Sequence, residues 1–181
     1  MNINMELKNK YVKLIPYDEK YLDYLYSYLT TNNLEGFENC QLKQKSDLYE
    51  FMSNPSMNIK AFIKDMSNEK IIGFVSGYNY NKIDGYIYIT STLDEQINLN
   101  QEALNIFIDY LIKSFPIRKI YCDIFENHYK KLELFESNKF KKEATLEKDV
   151  FWNGQYYNKY ILAVYREELN NDWFWLGVEK Y

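Results

Sequence analysis

The chain has 181 residues, 46% of them hydrophobic and 18% aromatic. That suffices for one domain with a buried core and excludes a disordered main state. The formal net charge is -4, from 22 basic and 26 acidic residues. Only Arg118 and Arg166 carry guanidinium groups, whereas a duplex-binding protein needs a basic excess and phosphate-gripping arginines, so no nucleic-acid partner is expected. Cys40 and Cys122 are too few for a disulfide framework and read as free thiols of a reducing cytoplasm. With the single histidine, His128, they give no zinc spacing, and no metal is expected. The first ten residues have no apolar stretch of signal-peptide length, and no run approaches the ~18 apolar residues of a membrane span. A cytoplasmic protein without a membrane partner is the expectation.

In chain order, residues 11–16 (YVKLIP) predict a strand. Residues 18–29 place Tyr21, Leu22, Leu25 and Leu29 at helical spacing behind Asp18 as cap, and residues 30–36 break that pattern. A short helix over 46–52 is expected behind Ser46, ended by Asn54-Pro55, because a residue before proline resists helical geometry. Residues 58–64, 71–78 and 85–92 read as strands separated by turns at 68–69 and 81–84. The last two are β-branched and aromatic, as suits the middle of a sheet.

Residues 98–114 predict the main helix, with Leu99, Ala103, Ile106, Phe107, Tyr110, Leu111 and Phe115 at its spacing. Asn98 and Gln101 have capping-box spacing, and Pro116 stops the helix. A strand follows at 119–125 (KIYCDIF), then a helix at 128–137. Two strands at 140–152 and 155–166 flank Asn153-Gly154, a hairpin signal. Cys122 reads as a buried structural thiol, and His128 as a surface or capping histidine. The tail over 167–181 carries Trp173, Phe174 and Trp175. Aromatics of that density seldom stay exposed, so the tail is expected to pack on the domain or at a homodimer interface.

From residue 11 to residue 166 the chain resembles the GCN5-related N-acetyltransferase (GNAT) superfamily, closest to the branch of ribosomal-protein alanine N-acetyltransferases. The resemblance lies in YVKLIPYDEKYLDYLYSYL, IIGFVSG, QEALNIFIDYLIKSFPIRKIYCDIFEN and NKFKKEATLEKDVFWNGQYYNKYILAVYRE, in that order. It implies an α/β (α+β) fold: one acyltransferase-like domain over residues 1–166, with a central mixed, mostly antiparallel sheet flanked by helices. It also implies acetyl-coenzyme A (acetyl-CoA) as cofactor, lying in a V-shaped gap between two splayed strands. The acceptor would be a primary amine of a small molecule or of a peptide or protein N-terminus.

The family's pyrophosphate loop, R/Q-x-x-G-x-G/A, matches Glu95, Gln96, Ile97, Asn98, Leu99 and Asn100, with Glu95 in the first slot. A shift by one puts Gln96 there but restores no glycine, and the resemblance implies that Gln96, Ile97, Asn98, Leu99, Asn100 and Gln101 hold the pyrophosphate. Asparagines stand where its glycines would be, and Asp94, Glu95 and Glu102 add negative charge. A helix N-terminus still offers unpaired N–H groups to an anion. Asn127 corresponds to the asparagine beside the pantetheine path, and Lys130 adds positive charge next to it. Thr90 and Ser91 fall at the oxyanion position. Phe135 stands where the family's tyrosine protonates the departing thiolate, and it has no hydroxyl; Tyr129 is the nearest other phenol. Glu35, Glu38, Tyr86, Tyr88 and Glu143 are the acceptor-site candidates. The missing glycines and Phe135 keep two alternatives open: a catalytically degenerate binding or assembly module, and an acyltransferase whose donor is a carrier protein.

Overall fold

The computed structural model describes residues 7–31, 44–54, 56, 59–91, 97–152 and 154–170. Eight strands form one sheet: β1 (Leu7–Lys8), β2 (Val12–Pro16), β3 (Ile59–Asp65), β4 (Ile71–Asn81), β5 (Tyr86–Ser91), β6 (Lys119–Phe125), β7 (Lys141–Trp152) and β8 (Gln155–Tyr165). Their spatial order is β1-β2-β3-β4-β5-β6-β8-β7. Every neighbouring pair is antiparallel except β5 and β6. The helices are α1 (Leu22–Thr31), α2 (Lys45–Ser53), α3 (Ile97–Ser114), α4 (Tyr129–Ser137) and the short α5 (Arg166–Asn170). No described helix is long and apolar enough to cross a membrane.

Two apolar layers sandwich the sheet. Leu22 and Leu25 of α1 and Leu48 and Met52 of α2 pack on Phe62 and Phe74. The larger layer joins Ala103, Leu104, Phe107, Ile108 and Leu111 of α3 and Leu134 and Phe135 of α4 to Ile87, Ile89, Ile120, Cys122 and Ile124. Strand alternation sorts the residues: Ile120, Cys122 and Ile124 enter the larger core, so Tyr121 and Asp123 face the other way.

Several boundaries differ from the expectations. The N-terminal segment supplies a further strand, β1, paired with β2. Asp18 does cap the chain's entry into the first helical turn, accepting from the Lys20 N–H at 3.1 Å. Helix α1 continues to Thr31. Helix α2 begins at Lys45, so Ser46 lies inside it; Asp47 instead accepts from the Gln44 N–H at 3.0 Å. Helix α3 begins at Ile97, which puts Asn98 within the first turn and not at the cap. Strand β4 runs to Asn81 through an irregularity after Tyr78, where Asn79 takes a positive φ of 51°. Beyond residue 166 the chain turns one short helix whose Leu169 joins the core. Residues 171–181, with Trp173, Phe174 and Trp175, lie outside the described residues.

The parallel contact starts from the turn before β5. The Gly85 carbonyl accepts the Arg118 and Lys119 N–H groups at 2.7 and 3.2 Å, and Arg118 Nε donates to the Asp84 carbonyl at 2.7 Å. Gly85 has φ +66°, and a Cβ there would stand 3.2 Å from the Pro116 carbonyl oxygen. Gly154, at φ +82°, has nothing within 4 Å of that position. Gly85→Ala is therefore expected to cost about 1–3 kcal/mol by urea unfolding, and Gly154→Ala less. Equal losses would mean that the clamp contributes nothing beyond turn conformation.

Candidate active site

Beyond the clamp the two parallel strands separate. Pairing is limited to Tyr86 with Lys119, Ile87 with Ile120 and Tyr88 with Tyr121. Residues 89–91 stay with β4, as Ser76 opposite Thr90 and Val75 opposite Ser91. Residues 122–125 stay with β8. Each strand follows its outer neighbour, and a gap opens between them.

Polar groups concentrate at this gap. Thr90 and Ser91 are buried at the end of β5. Lys131, 3% exposed on α4, crosses to β5 and donates to Thr90 Oγ1 at 3.0 Å. Asn127, just past β6, has a buried Oδ1 without a hydrogen-bond partner, as do Asp123 Oδ1 and Ser76 Oγ. A polar atom buried without a partner is costly and rare; Asp123 and Asn127 carry such atoms on the β6 side of the gap, whereas Ser76 lies one strand away, on β4. Burial raises the Asp123 carboxyl above its ordinary range, against the pull of the Lys159 and Lys131 charges.

A tyrosine surface adjoins the gap. Tyr88 stacks on Tyr121 at 5.0 Å, Tyr86 meets Tyr121 edge-on at 5.9 Å, and Tyr78 lies 5.7 Å from Tyr88. Burial, and then the Asp123 charge, push the Tyr88 phenol up. Next to Tyr121, Lys119 Nζ donates to the Glu143 carboxylate at 2.6 Å and to Tyr165 Oη at 2.9 Å.

The expected site residues are distributed as follows. Thr90, Ser91 and Asn127 meet at the gap, and Tyr86 and Tyr88 lie beside it. Glu143 is engaged with Lys119 and with the Tyr165 hydroxyl, at 3.2 Å from the latter. Tyr129 is 67% exposed. Lys130 is exposed at the first turn of α4, and Lys131 turns inward. Phe135 is fully buried edge-on to Phe140, in the main core. In the first turn of α3, Asn98 is exposed, Leu99 and Gln101 are half-buried and Asn100 is buried; Ile97 is described by its backbone alone. Glu102 accepts from Asn9 Nδ2 at 2.8 Å, which draws its charge toward the N-terminal strands. Gln96, Glu35 and Glu38 lie outside the described residues.

Asp123 was missed as a site residue. The alternation in KIYCDIF holds the signal: an apolar Ile-Cys-Ile face forces the Tyr and Asp between them to the opposite side. His128 is buried against Phe125, with ring centroids 5.2 Å apart, and is not a surface residue. It occupies the N-cap position of α4 but makes no side-chain cap bond.

This sheet with one parted parallel pair can be compared with solved structures. A spermidine N-acetyltransferase from Vibrio cholerae, solved with CoA and spermine, superposes with a TM-score of 0.78 at 17% identity, covering 90% of this chain and 100% of that one. The fold is that of the GNAT acetyltransferases. A GNAT-family acetyltransferase from Bacillus anthracis matches with a TM-score of 0.75 at 12% identity, over 90% of this chain and 99% of the other. The microcin C7 self-immunity acetyltransferase, solved with acetyl-CoA and AMP, matches with a TM-score of 0.71 at 21% identity, over 87% and 93% of the two chains. No protein-family model matches the sequence, and no curated protein sequence matches it. The GNAT likeness thus resides in the three-dimensional arrangement.

Burial, followed by the Lys131 charge, holds the His128 imidazole down to about 4 from an ordinary 6.5. Between those values the unfolded chain binds a proton that the folded chain refuses. Stability is therefore complete above pH 6.5 and falls as pH drops toward 4, by roughly 3 kcal/mol at most. His128→Gln is expected to flatten this limb of a stability–pH profile measured by chemical denaturation. An unchanged limb would contradict the buried neutral imidazole.

Proposed function

We propose that the protein is an acetyl-CoA-dependent N-acetyltransferase acting on a primary amine. One observation carries the reading: β5 and β6 part after Tyr88 and Tyr121, and the opening is lined by buried polar groups in place of a closed ladder. The GNAT fold and the CoA-bound state of similar structures support it.

When bound, acetyl-CoA supplies an activated thioester carbonyl. Asn127 Oδ1, buried and unpartnered, fits an amide N–H of the pantetheine arm, and the edge of β5 over residues 89–91 presents peptide groups along the same gap. The first turn of α3, residues 97–101, carries no acidic side chain and fits the diphosphate, and Gln96 and Lys130 are the further residues proposed to hold it. Thr90 accepts from the Lys131 ammonium, which leaves its own O–H to donate; a hydroxyl polarised in this way is a strong donor to a developing oxyanion, and Ser91 lies beside it. The buried positive charge of Lys131 offsets negative charge on the departing side, where Phe135 has no proton to give. Tyr129, 67% exposed at the first residue of α4, is the phenol proposed for the site in place of the one Phe135 lacks. The amine would attack as the free base, its ammonium proton already given to solvent. Its nitrogen would bond the carbonyl carbon as the carbon–sulfur bond breaks, the sulfur would leave as the thiolate of CoA, and the proton shed by the acylated nitrogen would reach that thiolate through water.

The resemblance to the ribosomal-protein alanine branch extends the acceptor class from small amines to peptide or protein N-termini. The segment with Glu35 and Glu38, together with Tyr86, Tyr88 and Glu143, is the proposed acceptor side.

Calorimetry is expected to show saturable binding of acetyl-CoA, with thermal stabilisation equivalent to about 2.7 kcal/mol at a hundredfold excess over Kd. Mass spectrometry of an amine panel should show a gain of one acetyl group. Lys131→Met should lower kcat by about tenfold or more while the fold persists. Binding without product from any amine would favour the degenerate module; absence of both would overturn the reading.

A further inference from the structure

An open cleft of about 810 Å³ adjoins the gap, with Tyr78, Tyr86 and Tyr88 among its walls and Asp123 in its lining. Asp123 stands on the part of β6 that no longer pairs with β5, so the cleft meets the gap there. The Asp123 side chain is only partly exposed, and its Oδ1 has no partner. A carboxylate in that state calls for a cation, because removing it from water without a compensating charge is costly. The nearby cations are already engaged: Lys159 pairs with Asp149 at 2.6 Å, and Lys131 bonds Thr90.

The walls define the rest of the ligand. Tyrosine faces attract an organic cation and give apolar area to whatever body it carries. Asp123 is the one acidic side chain in the lining, and exposed Lys82 at the rim repels a second positive charge. A single ammonium is therefore matched, and a second one is opposed. The size lies within the range of pockets for small organic molecules.

We infer that this cleft is the acceptor site and that it selects a primary monoamine with an apolar or aromatic body, its ammonium seated on Asp123. The inference rests on the reading of the gap as the centre of acyl transfer, since it makes Asp123 the link between acceptor and gap. Charge and shape then both favour an arylalkylamine-like cation over a linear diamine.

The test is calorimetric titration of the whole protein with 2-phenylethylamine, 2-phenylethanol and 1,4-diaminobutane, with no acyl donor present. The aromatic amine is expected to bind saturably, and the uncharged alcohol and the diamine about tenfold more weakly or worse. Asp123→Asn should weaken the amine by about tenfold and leave the melting temperature equal or higher, because a poorly compensated buried charge is removed. Acetyl-CoA titration of the same variant should match the wild type. Undiminished amine binding in Asp123→Asn, tightest binding by the diamine, no amine binding, or a clear fall in melting temperature would each overturn the inference. Retained acetyl-CoA binding with no amine binding overturns the cleft alone, whereas amine binding without acetyl-CoA binding overturns the transferase reading alone.

Discussion

Three residue pairs hold β5 against β6, and the chemistry proposed for this protein depends on the contact being that short. At one end the Gly85 carbonyl gathers two N–H groups from the start of β6. At the other end each strand stays with its outer neighbour, β4 or β8. A longer parallel ladder would bury Thr90 and Asn127 against backbone and leave no gap. A weaker clamp would let the two halves of the sheet drift. The fold thus makes one opening in an otherwise continuous sheet, between rigid walls, which is what positioning two reactants demands.

The opening gathers several buried polar groups, whereas Asp65 and Asn138 are buried singly elsewhere. Lys131, Thr90, Asp123 and Asn127 approach it from three elements, α4, β5 and the β6 segment with its following turn. Low surrounding polarity strengthens each interaction there and penalises each group left without a partner. His128 registers the same environment from behind, held neutral by burial and by the neighbouring ammonium.

Most of the fold was legible in the sequence because it follows from apolar periodicity. The three- and four-residue spacing of α3, the alternation in β4 and β5, and Asn153-Gly154 each act locally. Helix starts were less legible: Ser46 and Asn98 have capping chemistry but lie one turn or less inside their helices. The site was partly legible. Thr90, Ser91 and Asn127 come from the family resemblance laid on the predicted strand ends, and the structure puts Thr90 and Ser91 at the end of β5 and Asn127 just past β6. Lys131 is one of two adjacent lysines, and only the packing of Leu134 and Phe135 decides which of the pair turns inward. Asp123 acquires its meaning from Tyr86 and Tyr88, more than thirty residues away, so its role is a property of strand pairing and not of local sequence.

The most direct test of the central claim is a crystal structure of the protein soaked with CoA. Continuous electron density for the pantetheine arm between residues 89–91 and 122–125, leading to a diphosphate at the first turn of α3, is the predicted result. The opposite result is a ladder between β5 and β6 that continues past Tyr88 and Tyr121, or CoA bound only elsewhere on the surface, and either would contradict the account.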